Sequence, residues 1–319
     1  MKLIVVILNW RTPALTIDCL RSLEPELARL PSARVVVTDN ASGDDSIERI
    51  GAALRKNGWE PWARLMPLPK NGGFSYGNNA AIRAALAETP PVDAVLLLNP
   101  DTVVRAGAIQ ALLEFMATHP EVGLVGSRLE NPDGTPQVSA FRFHSALGEF
   151  ESTVGWSPVT KLLRRWVIRI PPVPEPCPVD WVAGASLLIR REVFDSIGLL
   201  DERYFLYYEE VDFCLRARRA GWPCWYEPAS RVVHLVGQAT GVTNKSHRNR
   251  RPRYWFDSRR RYFVKNHGKL YASLTDGLWW IGLLARRIRC VAEKKQDSGP
   301  PWLLRDAISN GVFSRGFGL

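Results

Sequence analysis

The sequence predicts an α/β fold with a mostly parallel, Rossmann-like sheet flanked by helices and followed by a C-terminal helical appendage. Three observations support this fold class. Residues 3–8 and 94–98 are continuous aliphatic runs, as expected of strands buried on both faces. Helical patterns alternate with these runs. Polar residues follow directly after the strands, where an open parallel sheet places its ligands.

The first half of the chain gives this pattern element by element. After the strand at 3–8, Thr12 and Pro13 supply an N-cap and a first-turn proline. The helix that they open carries an apolar stripe of Leu15, Cys19, Leu20 and Leu23. A second strand at 34–37 runs into 38–42, where Ser42 is predicted to cap a helix to about residue 56. A helix near Ser75, the strand at 94–98, a helix over about 106–118 and a short strand at 122–126 follow.

The second half is less regular. Residues 131–180 are rich in proline, and strands are predicted at 186–189 and 231–235 with a helix over 209–220 between them. Two further helical patterns cover about 254–266 and 270–289. We therefore predict one catalytic domain over residues 1–240 and a helical extension over 241–319.

Positive charge is concentrated in this extension. The whole chain has a net charge of +10, whereas residues 244–295 alone hold 15 Lys/Arg against 3 acidic residues. Such a segment is expected to meet an anionic partner. Its arginines precede an aromatic helix and are Arg248, Arg250, Arg251, Arg253, Arg259, Arg260 and Arg261.

A short apolar face near the end of the extension allows three interpretations. It comprises Leu278, Trp279, Trp280, Ile281, Leu283 and Leu284, followed by Arg286, Arg287 and Arg289. Tryptophan and arginine beside an apolar face are typical of a helix that lies in a membrane interface. Packing on the catalytic domain and a homodimer contact are equally good explanations.

No segment reaches the ~20 apolar residues that a membrane-spanning helix needs. The apolar run at 3–8 ends without the small-residue cleavage site of a signal peptide, so we expect a cytoplasmic protein, peripheral at most on the inner face of the plasma membrane. The five cysteines are odd in number and form no C-x-x-C pair, which argues against both a disulfide framework and a zinc site.

Polar residues at three strand ends are expected to converge on one crevice. Asn9 and Arg11 follow the first strand, Asp39 follows the second, and Asn99 and Asp101 follow the strand at 94–98. A glycine-rich turn at 70–73 lies between them in sequence. For Asp39 or for Asn71 in that turn, taken singly, a capping or turn role is an equally good interpretation.

These segments resemble the successive motifs of the family 2 (GT-A) glycosyltransferases, and most closely the rhamnosyltransferase-like branch. The matching segments are 4–10, 38–42, 71–79, 97–101, 184–185, 205–212, 216–222 and His234. The resemblance covers roughly residues 1–240. It implies a GT-A fold with a nucleotide-sugar-binding half at 1–126 and an acceptor and catalytic half at 127–240.

The resemblance also implies an activity. The chain would be an inverting, metal-dependent glycosyltransferase of hexosyltransferase type that uses a UDP- or dTDP-sugar. Rhamnose from dTDP-rhamnose is the first expectation, with transfer to a hydroxyl of a glycan or lipid-linked acceptor in cell-surface polysaccharide synthesis. The residues expected to bind the nucleotide sugar are Asn9, Arg11, Asp39, Asn71, Gly72, Asn78, Asn99 and Asp101.

Individual roles follow from matching positions and from side-chain chemistry. Asp39 can accept a hydrogen bond from N3–H of uracil or thymine. Asp101 matches the last residue of the family's D-x-D motif, while Asn99 replaces the first and would bind ribose or diphosphate. His234 matches a family metal ligand, so Asp101 and His234 would hold Mn²⁺ or Mg²⁺.

The acidic group that opens the helix at 209–220 is the candidate for catalysis. Inversion needs a carboxylate base, and Glu210 takes the position where the family usually has aspartate. Glu209 and Asp212 are the alternatives, and stabilisation by the helix dipole is the structural explanation for all three. Trp181 is expected to stack on a sugar or to pack in the core, and Gly184 to let the backbone approach donor or acceptor.

Other classes of function fit less well. A nucleic-acid-binding protein would explain the basic extension but not the acids and glycines at the strand ends, so no nucleic acid is expected. A dinucleotide-dependent oxidoreductase would need G-x-G-x-x-G after the first strand, which is absent. A nucleotidyltransferase on a related sheet would need a Gly-rich basic loop at residues 9–13.

Overall fold

The computed structural model of the protein describes residues 1–235, 250–297 and 299–318. These residues form two compact units. The first unit comprises 1–141, 171–205 and 209–235, and the second comprises 142–170, 206–208, 250–297 and 299–318. Residues 142–170, which precede the predicted boundary at residue 240, are thus part of the second unit. Arg248 of the predicted basic cluster lies outside the described residues.

The described strands are short and number twelve. They are β1 (Leu3–Asn9), β2 (Arg34–Asp39), β3 (Ala63–Pro67), β4 (Ala94–Leu98), β5 (Thr102–Val104), β6 (Leu124–Glu130), β7 (Ala140–Phe141), β8 (Arg169–Ile170), β9 (Cys177–Val179), β10 (Trp181–Val182), β11 (Ser186–Arg190) and β12 (Cys224–His234).

Helices of the first unit follow most of its strands. They are α1 (Pro13–Leu27), α2 (Ser46–Lys56), α3 (Gly73–Leu86), α4 (Ala108–Thr118), α7 (Arg191–Ile197) and α8 (Glu209–Arg219). The helices of the second unit are α5 (Ala146–Val154), α6 (Ser157–Leu162), α9 (Arg253–His267), α10 (Lys269–Ala292), α11 (Leu303–Asn310) and α12 (Val312–Arg315).

The described part of the first unit is built on a nine-stranded sheet in the order β3-β2-β1-β4-β11-β6-β12-β5, with β9 also paired to β12. Strands β3, β2, β1 and β4 are mutually parallel, which agrees with the parallel arrangement predicted for β1, β2 and β4 and adds β3, a strand that the sequence did not predict. Strand β11 runs antiparallel to both β4 and β6, and β12 runs parallel to β6. The predicted α/β class is confirmed, and the sheet contains more antiparallel pairing than the sequence indicated.

Register explains why the polar strand ends meet. Parallel pairing sets Asn9 opposite Asp39, and Ile7 opposite Leu98, the residue before Asn99. Helices α1, α2 and α4 supply apolar residues to the core that β1, β2 and β4 share, with Leu20, Ile50 and Met116 almost fully buried. Apolar packing on both faces thus fixes the edge at which the polar residues emerge.

Two helix starts differ from the prediction. Ser42 does not cap α2, because α2 begins at Ser46 after Asp45, and the Ser42 hydroxyl donates to Asp39 instead. Thr12 occupies the N-cap position of α1, but its side chain makes no capping bond and donates to Asn9 Oδ1. In both cases a side chain three residues earlier, at the strand end, competes with the helix for the hydroxyl group.

The described part of the second unit packs around a buried ion network. The Arg259 guanidinium donates to Glu149 Oε2 at 2.9 Å and to Asp276 Oδ1 at 2.5 Å, and all three side chains are almost completely buried. The charges of Arg259 and His144 hold the pKa of the buried Glu149 carboxyl at about 2, against the effect of burial. Trp279 and Leu283, predicted as part of an apolar face, are buried here with Phe256 and Ala307.

None of the helices in the described part of the chain is long and apolar enough to cross a membrane.

Candidate active site

A hydrogen-bonded cluster joins the ends of β1 and β2. Asn9 Nδ2 donates to Asp39 Oδ1 at 2.7 Å, and Asn9 Oδ1 accepts from the Thr16 hydroxyl at 2.9 Å. Asp39 Oδ1 also accepts from the Ser42 hydroxyl, and Asp39 Oδ2 accepts from the Ser42 amide at 3.0 Å. Asn9 and Asp39 are both fully buried. In this geometry both side chains hold the strand ends together.

Arg11 and Trp10 form the exposed part of the same strand end. Arg11 has a positive φ of 58° and is held there by bonds from its amide and its Nε to Ser42. Its guanidinium lies 5.1 Å from the centre of the Trp10 ring, which is itself exposed. A fixed cation on an accessible indole is suited to contact a phosphate or a base.

Two asparagines organise the glycine turn before α3. Asn40 Nδ2 donates to Asn71 Oδ1 at 2.8 Å, and the same oxygen accepts from the Gly73 amide at 3.1 Å. The Gly72 amide donates to Asn40 Oδ1 at 3.4 Å. Gly73 has a φ of +86°, and its missing side chain leaves room for the backbone of Phe205, whose carbonyl accepts from the Phe74 amide at 2.7 Å. The turn is thereby joined to the 200–205 segment.

We expect Gly73→Ala to destabilise the protein by about 3 kcal/mol or more. A Cβ atom at this position would lie only 2.1 Å from the Phe205 carbonyl oxygen, and the left-handed backbone adds about 1–2 kcal/mol of strain. Gly43→Ala is the matched control, because Gly43 also has a positive φ but no atom within 4 Å of the added Cβ. Urea unfolding of both variants measures the difference. Equal losses would show that the contact with Phe205 does not matter.

Asn78 and Asn79 are buried in α3 and act differently. Asn78 Nδ2 donates to the Phe74 carbonyl within the helix at 2.9 Å. Asn79 exchanges hydrogen bonds with the backbone of Leu200, and its Nδ2 also donates to Glu202 Oε1 at 3.0 Å. Sequence reasoning named Asn78 as a ligand residue and gave Asn79 no role. The signal for Asn79 was two adjacent buried amides in a helix, where polar side chains need tertiary partners.

The structure brings Asp101 and His234 together. Strand β12 pairs antiparallel with β5 so that His234 lies opposite Thr102, and the Leu235 amide donates to the Asp101 carbonyl at 2.9 Å. This register leaves Asp101 Oδ1 3.4 Å from His234 Nε2. The Asp101 side chain is 2% exposed and that of His234 15%. These two side chains, 133 positions apart in sequence, therefore share one site.

The pair fits a divalent cation as part of a larger ligand set. One carboxylate and one imidazole suit Mn²⁺, and Mg²⁺ also accepts the carboxylate. Within the described residues no group of three or more His, Cys, Asp or Glu side chains is placed to hold a metal ion.

Asn99 lies at the end of β4, beside this pair in sequence. Its amide donates to the Ala185 carbonyl at 3.0 Å, and its carbonyl accepts from the Thr102 hydroxyl at 2.7 Å. The backbone of Asn99 thus fixes the β4–β5 turn that carries Asp101. Its half-buried side chain has the neutral donor and acceptor expected for a sugar or phosphate contact.

The three acids at the start of α8 have different environments. Asp212 accepts from Arg216 Nε at 2.9 Å and from the Tyr204 hydroxyl at 3.2 Å, and is fully buried. Arg216 in turn donates to the backbone carbonyls of Ile197 and Leu199. This saturated ion pair favours a structural role for Asp212. It leaves Glu209 and Glu210 as candidates for the base.

Glu209 is not suited to accept a proton. Burial, followed by the charge of neighbouring Glu210, raises the pKa of the Glu209 carboxyl well above its usual value. Its Oε2 has no hydrogen-bond partner among the described residues. A raised pKa favours the protonated form of the buried Glu209 carboxyl, whereas the Glu210 side chain is only half-buried, so we favour Glu210 over Glu209 as the base.

We expect Glu209→Gln to change the pH dependence of stability. Because the folded pKa is raised, folding retains a proton that the unfolded chain loses above about pH 4.5, and this weakens the fold as pH increases. The variant should therefore gain stability relative to the wild type at pH 8 and lose that advantage near pH 4. Urea midpoints between pH 4 and pH 8 test this. Parallel curves for the two proteins would contradict a buried neutral Glu209.

Trp181 and Gly184 differ in what they offer to a substrate. The Trp181 ring is 8% exposed and stacks on Phe141, with centroids 4.1 Å apart. This contact matches the core-packing alternative and covers one face of the indole. A Cβ added to Gly184 would meet Phe74 at 3.5 Å and Glu210 Cβ at 3.9 Å, which are ordinary contacts. Gly184 therefore lies beside Glu210 without being required by internal packing.

Comparison with known proteins identifies the family of the chain. The sequence profile described as "Glycosyltransferase like family 2" matches residues 2–261. The chain belongs to glycosyltransferase family 2. An N-acetylglucosaminyl-diphospho-decaprenol L-rhamnosyltransferase of Mycobacterium tuberculosis is 33% identical over 271 residues, which cover 80% of this chain and 79% of that protein. The resemblance inferred from the motifs is thus confirmed, and the protein is a glycosyltransferase.

Solved structures support the GT-A fold of this family 2 glycosyltransferase. A mannosyltransferase from Pyrobaculum calidifontis, determined with GDP-Man and Mn²⁺, matches with a TM-score of 0.55 at 14% identity over 99% of this chain and 84% of that one. S. aureus TarS residues 1–349 with UDP match with a TM-score of 0.54 at 15% identity over 97% and 81% of the two chains. At this level of identity the likeness shows the fold alone.

Proposed function

We propose that the protein is a metal-dependent, inverting rhamnosyltransferase that transfers rhamnose from dTDP-rhamnose to a hydroxyl of a lipid-linked acceptor in cell-surface polysaccharide synthesis. The observation that carries the mechanism is the Asp101–His234 pair at 3.4 Å. The relative from M. tuberculosis, by its name, acts with L-rhamnose on a diphospho-decaprenol acceptor, which supports the sugar and the acceptor class. A lipid-linked acceptor would bring the reaction to a membrane surface, for which we propose the cytoplasmic face.

Asp101 and His234 would hold the cation, Mn²⁺ or Mg²⁺. Bound there, it would neutralise the charge that develops on the departing diphosphate. The chain contributes a fixed geometry: the backbone bond between Leu235 and Asp101 and the pairing of β5 with β12 keep both ligand side chains in place. A rigid ligand pair needs little reorganisation when the donor enters.

Glu210 is proposed as the base that accepts the proton of the acceptor hydroxyl. It lies in the first turn of α8, where the helix dipole stabilises its negative charge. Burial and the charge of Glu210 raise the pKa of the neighbouring Glu209 carboxyl, which favours a single negative charge on the pair. Gly184 lies beside the Glu210 Cβ and leaves room there for an approaching sugar.

The proposed nucleotide contacts divide into accessible and buried groups. Arg11 and the half-buried Asn71 and Asn99 are accessible to a nucleotide diphosphate. The Tyr76 ring occupies the space that a side chain at position 72 would need, so Gly72 can contact the nucleotide through its backbone only. Asp39 is fully buried behind Ser42, and recognition of thymine by Asp39 requires that the 40–43 segment move. Asn9 and Asn78 would act by positioning these groups.

The test is a screen of nucleotide sugars for Mn²⁺-dependent thermal stabilisation, followed by NMR of the product formed on an N-acetylglucosaminyl-diphospho-polyprenol. We expect dTDP-rhamnose to stabilise the protein in the presence of Mn²⁺ and the product to have the anomeric configuration opposite to that of the donor. Transfer from another nucleotide sugar, with none from dTDP-rhamnose, would refute the proposed donor. A retained anomeric configuration would refute the mechanism.

A further inference from the structure

Helix α10 has two apolar faces, and only one of them is packed. The packed face includes Ala272, Trp279 and Leu283, which are almost fully buried, and Gly282 lies against Phe150 and Thr153 of α5. The opposite face carries large aliphatic side chains that are between 51% and 90% exposed. They are Leu270, Leu274, Ile281, Leu284, Ile288 and Val291.

The six exposed residues, here called the α10 stripe, form one continuous line. Their spacing of three and four residues repeats along the helix, and Gly277 occupies the one position that would complete it. At ~1.5 Å per residue the stripe is roughly 32 Å long. A helix that buries one apolar face and exposes another over this length is not explained by the core of its own unit.

Exposed apolar residues are concentrated in the second unit. Of the large hydrophobic side chains that are exposed in the described part of the chain, twelve belong to the second unit and five to the first. The second unit nevertheless holds only 100 of the 303 described residues. The exposure is therefore a property of this unit.

The same unit carries the positive charge. Its described residues include 20 Lys/Arg and 7 Asp/Glu, a net charge of +13, whereas those of the first unit sum to −5. On α10 itself, Arg287 is exposed near the last third of the stripe, whereas Arg286 and Arg289 pair with Asp297 and Glu293. Lys294 and Lys295 follow the helix. Apolar and cationic groups together match the interface of an anionic bilayer.

We propose that the α10 stripe is a docking surface for a bilayer that contains anionic lipids, with α10 lying in the plane of the interface. The proposal rests on the proposed function in one respect, because a lipid-linked acceptor is presented at such a surface. It revises the apolar face expected from the sequence, since Trp279 and Leu283 are buried and the exposed line runs from Leu270 to Val291.

A second copy of this chain fits the stripe less well. The spacing resembles a coiled-coil seam with Ile281 and Ile288 at equivalent positions, but Gly277 would leave a gap in it. The residues that flank the seam supply no pair of opposite charges; they are Tyr271, Ser273, Leu278, Trp280, Ala285, Arg287 and Ala292. Two units of charge +13 would also repel each other.

The test is cosedimentation of the full chain with vesicles of phosphatidylcholine alone or with 30% phosphatidylglycerol. We expect wild-type protein to bind the anionic vesicles and to be released by 0.5 M NaCl in large part, because salt screens the cationic contribution. Ile281→Gln combined with Leu284→Gln should weaken partition by roughly 30-fold, since two exposed aliphatic side chains lose their burial in the interface.

The matched control is Ile47→Gln combined with Val138→Gln, two exposed aliphatic positions of the first unit. This variant should bind vesicles like the wild type. Unchanged melting temperatures for both double variants verify folding. Equal vesicle binding by wild type and the α10 variant, or no preference for anionic vesicles, would overturn the proposal. So would a wild-type dimer that the α10 substitutions dissociate without any vesicle binding, as seen by light scattering.

Vesicle binding is measured without nucleotide sugar, so its result does not depend on the transfer reaction. A protein that binds anionic vesicles through the stripe but transfers another sugar would refute only the proposed donor. A protein that transfers rhamnose to a water-soluble acceptor analogue, at equal rates for wild type and the α10 variant, and ignores vesicles would refute only the docking surface.

Discussion

Glu210→Gln should lower kcat by about 10³-fold while the affinity for the nucleotide sugar stays unchanged. Removal of a positioned general base typically costs between 10²- and 10⁴-fold in rate, because the acceptor hydroxyl must attack without losing its proton. Glutamine has nearly the same shape as glutamate, and the side chain is half-buried at a helix start, so the fold should tolerate the change. Steady-state transfer and calorimetric titration with donor measure the two quantities.

Two neighbouring carboxylates provide the controls. Glu209→Gln should retain most of the activity, because Glu209 is almost fully buried and its raised pKa favours the protonated form that glutamine resembles. Asp212→Asn should instead destabilise the protein by about 3 kcal/mol or more, since it breaks a buried ion pair with Arg216. Loss of activity in that variant would follow loss of fold. Full turnover by Glu210→Gln, or the largest kinetic loss in a folded Glu209→Gln, would assign the base differently.

The part of the fold that was predicted from sequence rests on signals that are local. Strands β1, β2 and β4 are recognisable because burial on both faces demands unbroken aliphatic runs. The edge where Asn9, Asp39 and Asn99 emerge follows from parallel pairing alone. By contrast, β3 is a partly exposed edge strand with the mixed sequence ARLMP, and β5 has only three residues, so neither shows an unbroken aliphatic run.

Side-chain roles at the site depend on partners that are distant in sequence. Asp212 and Glu210 are both acids in the first turn of one helix, and only Arg216 together with Tyr204 distinguishes the buried ion pair from the candidate base. Glu149, Arg259 and Asp276 likewise form one network from three helices of the second unit. Their pairing could not be derived from composition, because any of the neighbouring arginines would have served equally well.

The Asp101–His234 pair shows what the sequence could predict and what it could not. The sequence resemblance named Asp101 and His234 without giving the reason for their proximity. The structure supplies that reason in the register of β12, which sets His234 opposite Thr102 after an irregularity between Glu227 and Arg231. A strand whose register changes along its length has no sequence pattern from which the final alignment can be deduced. The family motifs therefore identified Asp101 and His234, and only the backbone structure explains why the two side chains lie close together.

Asp101→Asn should abolish the Mn²⁺-dependent part of donor binding and lower kcat/KM by about 10³-fold. The amide keeps the size of the carboxylate but cannot supply the negative charge that a divalent cation needs from a protein ligand. Of the proposed pair only His234 would then remain, and we expect one imidazole to hold the ion too weakly to retain the diphosphate. Thermal shift with and without Mn²⁺ at a fixed concentration of dTDP, together with steady-state kinetics, measures both effects.

Glu130→Gln is the matched control for this change. Glu130 is another buried carboxylate of the first unit, and it is paired with Arg105 and Arg231. Its variant should lose some stability and keep the full response to Mn²⁺, because those arginines already satisfy the carboxylate. The Mn²⁺-dependent thermal shift of His234→Gln should lie between those of Asp101→Asn and Glu130→Gln, since the Asp101 carboxylate is still present. An unchanged Mn²⁺-dependent thermal shift in Asp101→Asn would show that Asp101 does not bind the cation. The contact of 3.4 Å between Asp101 and His234 would then have a structural role only.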